Sequence, residues 1–245
     1  MDSSLYTKRT IIKHSICSKY LNEDRQVRVY LPPGYNELLS YPIVYAQDGQ
    51  DVFMYGRIAT IANYLILEKN MEPIIIVGVD VDKQKRTSEY ATDGNQNSAY
   101  KNFFTKELIP FIEGIYPIKG STIQRLLIGD SLGATVALDL ALENKELFQH
   151  VLSLSGAFFT PTEKQIMNHV DLEWLHLWMI VGLQETEVDT ERGIFDFLQV
   201  NRTTQRLLTE KKAKLYYNEK NGQHLWGFWQ QELPDALLYF FQENV

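Results

Sequence analysis

The chain has 245 residues, 44% of them hydrophobic and 22% charged, and carries a formal net charge of −7. This balance excludes a disordered chain and supplies enough apolar residues for a sizeable core, so one domain spanning residues 1–245 is expected. The acidic balance argues against a nucleic-acid partner, because a phosphate-binding face concentrates Lys and Arg. The short clusters "KQKR" and "KKAK" read as solvated surface. The single cysteine, Cys17, excludes an intrachain disulfide and a multi-thiolate metal site. The N-terminal "MDSSLYTKRTIIKH" lacks a signal peptide's apolar core, and the longest apolar runs are too short to span a bilayer. A cytoplasmic protein with no membrane partner is therefore expected.

The first segment, "RTIIKHSICSKYLNEDRQVRVYLPPGY", reads as two short antiparallel strands around a polar turn. Val27, Val29 and Leu31 alternate with Gln26, Arg28 and Tyr30, and Pro32-Pro33-Gly34 stops the second strand. "YPIVYA" is a strand running into a polar loop, residues 58–68 are helical, and "PIIIVGVDV" is apolar on both sides, as a buried parallel strand is. Residues 81–98 read as polar and irregular. Residues 99–116 carry apolar side chains at helical spacing, with a kink expected at Pro110. "QRLLIG" is a strand and residues 131–142 are a helix. "HVLSLSGAF" and "HLWMIVGL" are strands joined by an irregular connection over 159–174. Residues 192–212 read as a long amphipathic helix, "KLYYNEK" as the last strand and "LWGFWQQELPDALLYFFQ" as the last helix. Alternating strands and helices predict an α/β fold: a mostly parallel central sheet with antiparallel N-terminal strands and helices on both faces.

The chemistry gathers where "QRLLIG" meets its helix, at Gly129-Asp130-Ser131-Leu132-Gly133. Composition alone yields a G-x-S-x-G in roughly one chain in ten of this length, so its context between strand and helix carries the weight. A serine on so sharp a turn leaves no room for side chains at the flanking positions, and the helix start aims free N–H groups at a bound carbonyl oxygen. Leu132 N–H is the first candidate oxyanion donor. A serine hydroxyl also needs a base. His14 lies in an edge-like strand, His150 and His176 open strands at the wrong end, and His169 sits in an irregular segment with no evident partner. His224 follows the last strand, at a carboxyl end and in the chain order Ser, acid, His. The acid belongs on "LQETEVD", which offers Glu185, Glu187 and Asp189, with Glu185 nearest to the strand end. The loop "AQDGQDVF" offers Gln50 N–H as a second oxyanion donor, although a plain Asp-Gly turn explains the same letters.

Several segments together resemble the esterase-D and enterochelin-esterase-like branch of the α/β-hydrolases. They are "YPIVYAQDGQDVF", "RTSEY", "FFTKELIPFIEGIYPI", "GDSLGA", "ELFQHVLSLSGAF", "VGLQE" and "GQHLWGFW", and they cover nearly the whole chain. The resemblance implies the α/β-hydrolase fold, with Ser131 as nucleophile, Glu185 as acid, His224 as base, and Gln50 and Leu132 as oxyanion donors through their backbones. Two departures stand out: Asp130 where many members have His, and Ala134 where many have a second glycine. No counterpart of the extra N-terminal domain of the large enterochelin esterases is expected, which weighs against a siderophore substrate. Trp226 and Trp229 are expected to pack the last helix beside His224 before they contact substrate. Arg86 and Glu89, three apart, are expected to pair with each other. Arg86, Tyr90, Asp130, Trp226 and the segment 158–174 are candidates for the substrate pocket.

The expectation is a serine carboxylic-ester hydrolase that acts on a small or medium acyl ester through an acyl-enzyme, with no cofactor and no metal. The alternatives are an acyltransferase using the same triad, a siderophore esterase, and a non-catalytic relict. The expected partner is a small-molecule ester, and a homo-oligomer is left open.

Overall fold

A computed structural model describes residues 8–242. Residues 1–7, part of the stretch read as lacking a signal peptide, lie outside the described residues. Apolar alternation organises the sheet. Its strands are β1 (Thr10–Ser18), β2 (Glu23–Leu31), β3 (Ile43–Ala46), β4 (Ile75–Val79), β5 (Arg125–Asp130), β6 (His150–Leu154), β7 (His176–Gly182) and β10 (Lys214–Lys220). They lie in the order β1-β2-β4-β3-β5-β6-β7-β10. β1 pairs antiparallel with β2, and β2 antiparallel with β4. From β4 through β10 all neighbours are parallel. This is the expected mostly parallel α/β architecture.

Both faces of the parallel strands are buried. Ile43, Tyr45, Leu127, Val151, Leu177 and Met179 belong to one core with Phe103, Phe104 and Leu140. Val44, Ala46, Leu126, Ile128, Leu152 and Ile180 belong to a second core with Leu65, Leu233 and Leu237. Successive strand residues thus feed opposite layers, which is why these segments read as unbroken apolar runs. Burying each such side chain contributes about 1.5–3 kcal/mol before chain entropy is counted.

The helices are α1 (Gly49–Met54), α2 (Ile58–Lys69), α3 (Lys83–Tyr90), α4 (Asn97–Phe103), α5 (Ile109–Ile115), α6 (Leu132–Glu143), α7 (Thr160–Asn168), α8 (Phe197–Glu210) and α9 (Trp226–Phe241). Three sequence expectations need correction. Residues 81–98 are not irregular, because α3 forms there. Its polar letters hide it from a periodicity test, and Asp82 caps it by accepting from Gln84 N–H. Residues 159–174 contain α7, whose first turn takes Pro161 and whose inner face buries Thr162 and Ile166. The amphipathic run from 192 is interrupted: α8 starts only at Phe197, where Asp196 caps Gln199 N–H. The residues before it form a hairpin of β8 (Val188–Thr190) and β9 (Gly193–Phe195). Ahead of Pro110 the helix widens into a π-helical turn, Phe104–Leu108, where the proline's missing N–H breaks the regular ladder.

Asp139, fully buried on α6, is pushed up to about 7 by that burial. The folded protein therefore binds this proton more tightly than the unfolded chain. The stability it contributes is whole below about pH 4 and is lost as pH rises through 7. Relative to wild type, Asp139→Asn should gain about 1–3 kcal/mol between pH 5 and pH 8 in urea unfolding. An unchanged difference between the two pH values would refute this.

Candidate active site

The segments that carry the triad and oxyanion candidates follow the carboxyl ends of parallel strands: after β3 (Gln50), β5 (Ser131), β7 (Glu185) and β10 (His224). Parallel pairing brings those ends to one edge of the sheet, where open α/β sheets bind ligands. His150 and His176 open β6 and β7 at the opposite end, with ring centroids 5.0 Å apart, and burial pushes His150 down to about 4. His14 binds the Tyr116 hydroxyl at 2.8 Å on the edge strand, and His169 sits at the end of α7.

Ser131 occupies φ 51°, ψ −121°, between the last residue of β5 and the first of α6. A non-glycine residue there is strained, and the surroundings hold it. Its N–H donates to Leu154 O at 2.9 Å and its carbonyl accepts from Ala157 N–H at 3.0 Å. Gly129 makes the elbow possible: a Cβ at this position would lie 2.1 Å from the carbonyl carbon of Gly133. Because α6 starts at Leu132, the Leu132 N–H has no carbonyl one turn earlier in the helix to receive it.

His224 Nδ1 donates to Glu185 Oε2 at 2.7 Å. A carboxylate only accepts, so this contact places the ring proton on Nδ1 and leaves Nε2 as the basic nitrogen. Glu185 is itself completely buried. Its Oε1 accepts from Ser155 Oγ at 2.7 Å and from Gly182 N–H at 2.8 Å. Trp229 Nε1 donates in turn to Ser155 Oγ at 2.8 Å. Of the three acids the loop offered, Glu185 reaches the histidine. Glu187 and Asp189 are exposed. The imidazole is packed between Phe197, at 4.2 Å between centroids, and the edge of Trp229, at 4.9 Å.

Ser131, Leu132, His224, Asp130 and Arg86 line one cavity of about 330 Å³, with Phe159, Phe197, Trp229, Lys83 and the hairpin residues Asp189–Arg192. Two candidates for the pocket wall fall elsewhere. Tyr90 is fully buried, its ring against Tyr100 and its hydroxyl accepting from Asp48 N–H at 3.3 Å. Trp226 packs edge-on against Trp229 and over Gly56, outside the cavity lining. From the segment 158–174, Phe159 reaches the cavity while Phe158 is fully buried. Gln50 uses its side chain on Val81, donating to its carbonyl at 2.8 Å and accepting from its N–H at 3.0 Å. Its backbone N–H lies in the first turn of α1, where helices leave N–H groups without internal partners.

Arg86 and Glu89 do not pair with each other. Arg86 Nε and Nη2 donate to the two carboxylate oxygens of Asp48 at 2.7 and 2.8 Å, and Glu89 takes Arg25 through 2.7 and 2.9 Å bonds. Tertiary partners outcompete the helical neighbour because each forms a buried bidentate pair. Burial pulls the Arg86 guanidinium down, but Asp48 outweighs that and holds it above its ordinary value. Asp130 is left with the poorer share of the same cation, 3.7 Å from Arg86 Nη2. Burial, aided by the like charge of Asp48, pushes Asp130 up to about 7. Ser155, Asp48 and the 188–195 hairpin as a cavity wall were not legible: Ser155 and Asp48 act only through contacts made across the fold, Asp189 was offered only as a triad acid, and the letters from 192 fit a helix pattern.

Residues 18–240 match the model of the family described as "Putative esterase". The protein YjcH of Bacillus subtilis (strain 168), itself described as uncharacterized, is 35% identical over 230 residues, covering 93% of this chain and 96% of that one. A solved ferulic acid esterase superposes with a TM-score of 0.83 at 18% identity, over 96% of this chain and 98% of that chain. The enterobactin esterase of Shigella flexneri superposes with a TM-score of 0.80 at 20% identity, over 94% of this chain but 59% of that one. At such identities the superpositions carry the fold: α/β-hydrolase.

Gly129→Ala should cost roughly 2–4 kcal/mol, because the added methyl meets backbone and not a flexible side chain. Chemical denaturation measures it, and a loss below about 0.5 kcal/mol, the range of neutral surface changes, would show that the elbow tolerates a Cβ.

Proposed function

Because the chain belongs to this esterase family, and by that membership is a carboxylic-ester hydrolase on the α/β-hydrolase fold, we propose that it works through an acyl-enzyme formed on Ser131. The observation that supports this most strongly is the hydrogen bond from His224 Nδ1 to the buried Glu185, at the rim of the cavity that Ser131 also lines. Ser131 Oγ attacks the ester carbonyl carbon while His224 Nε2 takes the hydroxyl proton. The carbonyl oxygen becomes an oxyanion, received by the N–H groups of Leu132 and Gln50. The intermediate collapses, the C–O bond to the alcohol breaks, and His224 returns its proton to the leaving oxygen. A water molecule then attacks the acyl carbon and gives a proton to His224; the bond from that carbon to Ser131 Oγ breaks, His224 returns the proton to Oγ, and the acid departs. Glu185 holds the ring in place and stabilises the imidazolium.

The cavity volume suits a small or medium acyl ester. Phe159, Phe197 and Trp229 supply aromatic walls, which favours an aryl or phenolic acyl group. The second reading, a siderophore ester, is favoured by the same aromatic walls together with the likeness to a protein named enterobactin esterase. An acyltransferase would share every step up to the acyl-enzyme and differ only in the acceptor.

Ser131→Ala should fold normally and lose hydrolysis of p-nitrophenyl acetate and butyrate by about 10³-fold or more. It should also lose covalent labelling by a fluorophosphonate. Glu185→Gln should lower kcat by roughly 10²–10⁴-fold, since an amide can hold the wrong imidazole tautomer. Full activity in Ser131→Ala would overturn the mechanism. An ester panel that includes enterobactin, run with and without an added alcohol, separates the substrate readings: ester products appearing only with alcohol would identify a transferase.

A further inference from the structure

Arg86 joins two loops at the carboxyl end of the sheet. β3 and β5 are neighbours, and the backbone bond from Gln47 N–H to Ile128 O, at 2.9 Å, continues their pairing to the sheet's end. Beyond it the chains part, one into the Asp48-Gly49-Gln50 turn and the other into the Ser131 elbow. The guanidinium grips Asp48 through both carboxylate oxygens and donates through Nη2 to the backbone carbonyl of Asp130 at 3.2 Å. Asp48 itself sits in the left-handed region at φ 51°, as the N-cap of α1, and its side chain is 1% exposed. The Arg86 side chain lies across the Tyr90 ring, 5.5 Å from guanidinium carbon to centroid.

Gly133, the second glycine of the motif, belongs to this arrangement. A Cβ there would lie 2.9 Å from Asp48 Oδ2, 3.2 Å from Gln47 Cβ and 3.8 Å from Arg86 Nη2. The glycine therefore leaves room for the carboxylate–guanidinium pair beneath the start of α6, while Gly129 leaves room for the elbow itself.

We propose that the Asp48–Arg86 pair is the positioning device of the oxyanion hole: it sets the spacing between the backbone N–H groups of Gln50 and Leu132. The inference rests on the assignment of those two groups in the acyl-enzyme mechanism. Each donor stands two positions from a gripped residue, Gln50 from Asp48 and Leu132 from Asp130. Oxyanion stabilisation depends on donors held in place before the charge develops, and a displacement of about 1 Å is enough to cost rate. A rigid planar fork can hold such a spacing where a flexible ammonium cannot. The other charged groups around the fork are Asp130 and Lys83, and Lys83 also binds Asp51.

Because Arg86 also lines the cavity, direct contact with substrate is the rival role. Asp48 does not line the cavity, and this separates the two. Arg86→Lys and Asp48→Asn, checked for folding by circular dichroism, should each lower kcat on the neutral ester p-nitrophenyl acetate by about 10–100-fold with KM within about twofold. The double variant should lose little more than either single one, since both break one device. Wild-type kcat in either folded variant, or a loss confined to KM, would overturn the proposal. Should Asp48→Asn not fold, Arg86→Ala with added guanidinium ion supplies the deciding result: recovery of kcat supports the device and no recovery overturns it. The Ser131→Ala control keeps the outcomes distinct, because an active Ser131→Ala defeats the mechanism itself, while an inactive one beside fully active Arg86→Lys defeats only the positioning role.

Discussion

A buried carboxylate governs the arrangement at the sheet edge. Glu185 has no access to solvent, so both of its oxygens must be met from within the protein. Ser155 Oγ and Gly182 N–H satisfy one oxygen and His224 satisfies the other. Those partners come from the ends of β6 and β7 and from the loop after β10, and Trp229 of α9 completes the chain through Ser155. The orientation of the imidazole follows from the Glu185 side chain. The left-handed backbone of Ser155, at φ 48°, belongs to the same requirement, because it lies where the hydroxyl must meet both Glu185 and the indole.

A second buried ionic centre lies across the cavity. Asp48, Arg86 and Asp130 place two carboxylates around one guanidinium, and the geometry decides which is served. Asp48 takes both good hydrogen bonds, whereas Asp130 stays buried at a longer distance. Burial and the nearby Asp48 charge, with the guanidinium farther off, bring Asp130 up to about 7. The polar floor of the cavity thus differs on its two sides: a fixed His–Glu contact on one and a shared cation on the other.

The legible parts of the fold were those whose signals are local. Period-2 alternation marked β2, an apolar run on both sides marked β4, and the glycines flanking Ser131 marked the elbow. Helix α3 escaped because its sequence "KQKRTSEY" has no apolar stripe. It is held by a cap and by ion pairs to distant residues. The start of α8 was misplaced because residues 192–196 fit an amphipathic pattern equally well, and only pairing with 188–190 makes them a hairpin. Arg86 and Glu89 show the same limit, since helical spacing permitted a pair that better partners elsewhere dissolved.

Sequence by itself determined the chain order of the eight sheet strands, the glycine-flanked serine between β5 and α6, and a histidine and acid in matching order after later strands. These follow from short-range sterics and hydrophobic periodicity, which neighbouring letters encode. Tertiary structure decided which acid of the "LQETEVD" loop meets His224, which residues wall the cavity, and which carboxylate Arg86 serves. The physical reason is that burial and hydrogen-bond satisfaction depend on every group within a few ångströms, and those groups lie far apart in the chain.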